Sequence, residues 1–323
     1  MLMFIARRLA QSVIVMVVVA ALAFVMFTFI GDPVNQMVGI ETTPEQREQL
    51  RERLGLNDPL VVQFGRFIVD VVQLDFGISY QHKRPVSELI VERFPATMEL
   101  SVISAILALA VGIPVGVYTA LNRHSIISKL LMTVSLIGIS LPTFLIGILL
   151  ILFFGVILKV LPTFGRGEVV TLFGWWSTGL FTESGLRALI LPATTLAVFQ
   201  MTLVVRLIRA EMLEVLRTDY IKFAKARGLK TRAIHFTHAL KNTLVPVITI
   251  IGLQLGSVIA FAIITESVFS WPGMGLMFIQ AVHEIDIPVM AAYIMLIAFI
   301  FVVINLLVDM LYVAVDPRLR VQT

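Results

Sequence analysis

The sequence contains no cysteine, which excludes a disulfide framework, a thiolate metal site and a cysteine nucleophile. Charge is also scarce: 14% of the 323 residues are Asp, Glu, Lys or Arg, about half the usual share of a soluble domain. No Gly-Lys dipeptide occurs, so no Walker A loop cradles a nucleotide phosphate, and HExxH, Gly-x-Ser-x-Gly and SxxK motifs are missing. Gly273-Met274-Gly275 has no strand before it and is not a dinucleotide fingerprint. His235 and His238 stand three apart in a basic segment with no third ligand nearby, which argues against a metal site. The net charge of +4 is too small and too local an excess for nucleic acid. These absences argue against an enzyme and leave no catalytic residue, metal or cofactor assigned to the chain.

What is abundant is apolar surface, at 58% of residues. Six runs are each long enough to cross about 30 Å of hydrocarbon: 9–30, 96–121, 130–158, 189–208, 244–265 and 289–315. The first competes with a signal peptide, because Arg7 and Arg8 precede it and Ala21-Leu22-Ala23 resembles a cleavage site. It runs on well past Ala23, which favours a retained span. Pro114, Pro142 and Pro192 lie in or near spans and predict kinks. Basic residues fix the orientation. With the N-terminus inside, the inner segments hold Arg7, Arg8, Arg123, Lys129, nine Lys or Arg between 206 and 241, Arg318 and Arg320. The opposite loop at 267–288 has no Lys or Arg, and the one at 159–187 has Lys159, Arg166 and Arg187. Both termini are therefore expected in the cytoplasm.

Segment 31–95 is then an extracytoplasmic insertion. Thr43-Pro44-Glu45-Gln46 predicts a helix start with a capping box, and Gly55 a stop. Leu60, Phe64, Phe67, Ile68, Val71 and Val72 have helical spacing, predicting a second helix packed on the bundle or lying on the bilayer. Ser104, Ala108, Gly112, Gly116 and Ala120 recur every four residues, as do Gly252, Gly256 and Ala260. Such stripes permit close helix approach, within the chain or between two subunits.

The inner segment 210–245 alternates polar and apolar residues in helical rhythm. Asp219 favours a helix start and Gly228 a stop, predicting a short exposed helix that docks into a partner or simply connects two spans. The stretch "EMLEVLRTDYIKFAKARGL…HALKNTLVPVIT" resembles the cytoplasmic loop of ABC-importer permeases in the dipeptide/oligopeptide/nickel branch. "FIARRL", "GDPV", "LGLNDPL", "DFGIS", "VGIPVGV", "IIGLQLGSV", "ESVFSWPGMG" and "NLLVDMLYVAVDPRLR" extend that resemblance in order along nearly the whole chain. It is similar above all to the first of the two permeases of a dipeptide-type system.

The resemblance implies an all-α, six-span, type I ABC-importer permease in the bacterial inner membrane. It implies partners: a second permease, two ATPase subunits that carry ATP and Mg, and an extracytoplasmic substrate-binding protein. It assigns Asp219, Tyr220, Lys222, Ala224, Ala226, Gly228 and Leu229 to the segment that couples to an ATPase. The general importer loop begins Glu-Ala-Ala; here Lys222 and Phe223 replace the first two, while Ala224 and Gly228 are kept. It also places Trp271 and Phe278 near an outer mouth as gate candidates.

Polar groups in the spans complete the candidates. Asp309 near the inner boundary predicts a structural pair with Arg7 or Arg8, with gating as the functional alternative. Gln254, Ser257 and Asn305 face the pathway or hydrogen-bond between helices, and Glu266 contacts cargo or caps a loop. Peptide is the expected cargo, with a nickel chelate or glutathione-like solute as the alternative. A stand-alone channel or proton-coupled carrier is the competing class.

Overall fold

The computed structural model describes residues 2–29, 34, 43–53 and 55–315. Expectations resting on 31–33, 35–42, Leu54 and 316–323, including Arg318 and Arg320, lie outside the described residues.

Helices dominate. In order they are α1 (Leu2–Phe29), α2 (Pro44–Arg53), α3 (Leu60–Val72), α4 (Val86–Leu121), α5 (Ile126–Ser140) and α6 (Thr143–Leu150), the last continued by a π-helical segment, Ile151–Ile157. A hairpin of β1 (Val170–Leu172) and β2 (Trp176–Thr178) follows. Then come α7 (Glu183–Val215), α8 (Asp219–Ala226), a second π-helical segment (Ala233–Ala239), α9 (Leu240–Phe269), α10 (Met274–Glu284) and α11 (Ile287–Val315).

Stretches Ala6–Met26, Val86–Leu121, Glu183–Val215 and Ile287–Met310 are each long and apolar enough to cross a membrane. Two bent pairs bring the total to six if each crosses as one span. The run at 130–158, expected as one span, is instead broken into α5 and α6, which meet at 111°. Pro142 causes the break. It has no N–H to donate and forces Leu141 into extended backbone at φ −98°, ψ 137°. Pro114 and Pro192, by contrast, remain inside continuous helices. The hairpin was not foreseen by the all-α expectation. Its strands pair Val170 with Thr178 and Leu172 with Trp176 around left-handed Phe173 and Gly174, a turn that suits the strand twist.

The small-residue stripe on α4 packs within the chain. Ser104, Ala108, Gly112, Gly116 and Ala120 are all buried, and α7 lies against them. A Cβ on Gly112 would stand 2.7 Å from Val204 Cγ1, and one on Gly116 2.7 Å from Ile208 Cβ. This stripe is therefore consumed internally rather than offered to a second subunit. Gly252 and Gly256 press in the same way on Val308 and Phe301 of α11.

The Thr43–Gln46 capping box forms: Gln46 N donates to Thr43 Oγ1 at 3.4 Å, and Thr43 N to Gln46 Oε1 at 3.2 Å. In α3, Phe64, Phe67, Ile68 and Val71 pack against Ala20 and Ala23 of α1 and Ala291 and Met295 of α11. Phe24 meets the Phe64 ring edge-on at 5.4 Å. The amphipathic face is thus spent on the bundle, leaving Val61 and Val72 exposed on the other side.

Gly116→Ala is expected to overpack the α4–α7 seam and destabilise the protein by about 1–3 kcal/mol. Gly65→Ala, in α3 with nothing within 4 Å of the added Cβ, should instead be neutral or stabilise by up to ~1 kcal/mol. Thermal unfolding in detergent distinguishes the two.

Candidate functional site

Helix α8 lies at the end of the bundle that carries the basic segment. Thr218, in extended backbone at φ −66°, ψ 154°, starts it, with Asp219 in its first turn. Its end is a Schellman motif. Leu229 N donates to Ala224 O at 3.3 Å and Gly228 N to Lys225 O at 3.0 Å, with Gly228 at φ +74°. Glycine is needed there for the left-handed backbone, since nothing lies within 4 Å of a Cβ at this position.

The two faces of α8 differ. Ile221 and Ala224 are buried in an apolar cluster with Val117, Ala120, Ile208, Met212, Ile234 and Val247. The short helix therefore shares one apolar cluster with the second π-helical segment and with residues of α4, α7 and α9. The opposite side is bare: Phe223 is 64% exposed, Tyr220 42% and Leu229 41%. Arg227 lies over the Phe223 ring at 5.8 Å. Lys222 Nζ pairs with Asp219 Oδ1 at 2.8 Å, an exposed bridge that contributes little to stability. Tyr220 Oη accepts from Asn242 Nδ2 at 2.6 Å and donates to His238 O at 3.5 Å, tying α8 to the helix returning into the bundle. Burial, and then nearby Lys225, push the His235 imidazole of the π-helical segment down from its ordinary range. Among the described residues no three His, Asp or Glu side chains converge as a metal cage.

The other candidates lie elsewhere. Arg8, rather than Arg7, pairs with Asp309, Nε to Oδ2 at 3.0 Å, joining α1 to α11. Ser257 donates to Gln254 O at 2.7 Å and makes a 2.9 Å contact with Gln254 Oε1, both within α9. Asn305 Nδ2 donates to Phe301 O at 2.9 Å, within α11.

At the hairpin end the structure seats the gate and cargo candidates in the core. Trp271 is wholly buried and its indole N–H donates to Ala96 O at 3.0 Å. Phe278 stacks on Tyr293 at 4.5 Å. Glu266 is wholly buried too: it accepts from Thr97 Oγ1 at 2.5 Å and from Leu276 N at 2.9 Å. It caps the start of α10, the loop-capping alternative, and has no surface on which to meet a solute.

Sequence reasoning missed two further buried carboxylates here. Glu99 of α4 pairs with Arg166 and accepts from Gly179 N at 3.2 Å, pinning the hairpin. Asp286, between α10 and α11, accepts from Ser79 Oγ at 2.5 Å and Tyr80 N at 3.2 Å, pinning the loop before α4. The only signal for Glu99 was a carboxylate placed inside an otherwise apolar run.

Residues 112–321 match the family described as binding-protein-dependent transport system inner membrane component, and residues 1–101 match its N-terminal companion. The chain is 40% identical to the dipeptide transport system permease protein DppB of Escherichia coli strain K12, covering 99% of both chains. It is 36% identical to the DppB of Alkalihalophilus pseudofirmus, covering 99% of this chain and 100% of that one. Among solved structures, an inward-facing MetNI methionine ABC transporter shares the fold at TM-score 0.56 and 19% identity, over 71% of this chain and 96% of that one.

Glu99→Ala would leave the Arg166 guanidinium buried without its carboxylate, and is expected to destabilise by about 3–5 kcal/mol. Replacing both, as Glu99→Leu with Arg166→Met, should recover most of that loss in the same thermal measurement.

Proposed function

We infer that this chain, which belongs to the family of binding-protein-dependent transport system inner membrane components, works as one permease of a dipeptide-type ABC importer. The observation that carries this reading is its full-length kinship with dipeptide permeases, together with a helix seated on three spans and bare on its other face. Each bent pair crosses the membrane once, giving six spans. Both termini and α8 lie in the cytoplasm, and α2, α3 and the hairpin lie outside, as the distribution of Lys and Arg favours.

A second, similar permease completes the pathway, two ATPase subunits bind below and an extracytoplasmic binding protein delivers the peptide. No bond chemistry occurs on this chain, and ATP with Mg belongs to the ATPases. The bare side of α8 (Tyr220, Phe223 and Leu229, edged by Lys222, Lys225 and Arg227) has the aromatic and basic content of a docking anchor. Its buried side transmits any displacement to α4, α7 and α9 as one body, because their ends share a single apolar cluster. Nucleotide binding then shifts the population between inward- and outward-open states by differential affinity for the two positions of α8. The kept Ala224 and Gly228 support this role: Ala224 fills the buried seat, and Gly228 ends the helix so that Leu229 can turn back.

Phe223→Ala is expected to lower ATP-driven dipeptide uptake about tenfold, in the range of a lost interface anchor, with the amount of chain in the membrane unchanged. Gly228→Val should do the same by straining the left-handed turn by about 1–2 kcal/mol. Labelled-dipeptide uptake into cells, scaled to membrane level by immunoblot, checks both. Full uptake in both variants would overturn the coupling role and favour a stand-alone carrier.

A further inference from the structure

Three basic residues, Lys159, Arg166 and Arg187, break the charge asymmetry by lying in the segment assigned outside. Arg166 is spent on Glu99 in the core. The other two line one open cavity of about 660 Å³, between the end of the first π-helical segment and the first turns of α7. Glu168 and Glu183 line it as well, so both signs of charge face the same space.

The two pairs of charges differ in their engagement. Arg187 is held across the cavity, donating to Val160 O at 3.1 Å and meeting Glu183 at 3.5 Å. The Lys159 ammonium and the Glu168 carboxylate have no hydrogen-bond or ion-pair partner among the described residues. Lys159 also sits at φ 55°, an unusual backbone for a non-glycine residue.

The surroundings of the cavity are apolar and exposed. Ile157 and Leu158 on one side, and Leu186 and Ile190 of α7 on the other, are 46–62% exposed and belong to the spanning elements. Phe164 in the cavity wall is 62% exposed, in keeping with the aromatic residues found at bilayer interfaces. A cation pair and a free carboxylate at the head of two apolar rows match a molecule with a phosphate, a neighbouring primary ammonium and long apolar chains.

We propose that the cavity lined by Lys159, Glu168, Glu183 and Arg187 binds the headgroup of a phospholipid carrying a primary ammonium, namely phosphatidylethanolamine. Lys159 and Arg187 take the phosphate, and Glu168 accepts N–H bonds from the ammonium. A choline headgroup has no N–H to donate, and a glycerol headgroup has no cation. A free peptide offers the same two charges but nothing to cover the apolar rows. The proposal goes beyond cargo import and does not depend on which solute is carried.

The test is native mass spectrometry of the intact transporter, extracted in detergent and presented with equimolar phosphatidylethanolamine, phosphatidylcholine and phosphatidylglycerol. The wild type is expected to retain the ethanolamine lipid about five- to tenfold over the other two, the range of one net hydrogen bond. Glu168→Gln should remove that preference, Lys159→Gln should lower retention of all three lipids alike because each carries the phosphate, and Lys83→Gln, exposed elsewhere at the same end, should change neither. Equal retention of the three lipids by the wild type would overturn the proposal, as would a preference untouched by Glu168→Gln. Displacement of the lipid by free dipeptide would also overturn it and assign the cavity to cargo. The readout is bound lipid rather than uptake, so it is decided separately from the import reading.

Discussion

The arrangement of the hairpin end depends on burying the Glu266 carboxylate. A carboxylate removed from water must find donors, and here they come from two other helices: Thr97 on α4 and the backbone of Leu276 on α10. The α10 amide comes from the start of that helix, where unpaired N–H groups and the helix dipole favour negative charge. Gly273 and Gly275 are required because any side chain at either position would meet that carboxylate. Trp271 then drops into the core beside Ala96, and the turn between α9 and α10 is set. Asp286 and Glu99 repeat the same solution for the loop before α4 and for the hairpin. Three carboxylates thus fasten three surface segments to the ends of the spans through directional bonds whose removal strands a buried charge.

The opposite end is held differently. Around α8, Ile221 and Ala224 belong to one apolar cluster with side chains of the second π-helical segment, α4, α7 and α9. Such packing is dense but non-directional, so the elements can rotate together without leaving a polar group unpaired. The polar ties nearby, Tyr220 to Asn242 and Lys222 to Asp219, are exposed, and water can replace them. The hairpin end is thus held by directional polar bonds, and the α8 end by apolar contact.

Most of this was legible in the sequence where one local cause decides the outcome. The capping box at Thr43, the stop at Gly228 and the amphipathic α3 all follow from side-chain chemistry within a few residues. The position of α8 was legible for the same reason, because Asp219 and Gly228 bracket it. What escaped was long-range. Glu99 and Arg166 are 67 residues apart, and Ser79 and Asp286 are 207 apart, so no pattern within one run links them. Glu266 and Trp271 read as exposed candidates because a polar or aromatic residue near a span end says nothing of what folds over it. The α4 stripe left its neighbour open. Spacing shows that a helix will come close, but whether the neighbour is α7 or a second subunit is a property of the whole fold.

The break at Pro142 ties the two ends together. Without an amide at Pro142, α5 cannot continue, and the chain turns by 111° into α6. Gly147 of α6 then rests on Val268, Phe269 and Thr195, placing α6 against the end of α9 that carries the Glu266 carboxylate and against α7. Meanwhile α5 stays with α7 further along its length, through Thr202 Oγ1 donating to Ser135 O at 2.7 Å and through Gly138 against Val198. One half of the bent span is therefore anchored near the hairpin end and the other lower on α7. The extended backbone at Leu141 sets the directions of the two halves independently. The proline that spoils a simple continuous helix thereby lets one apolar run pack at two levels of the bundle, one beside the Glu266 carboxylate and one further along α7.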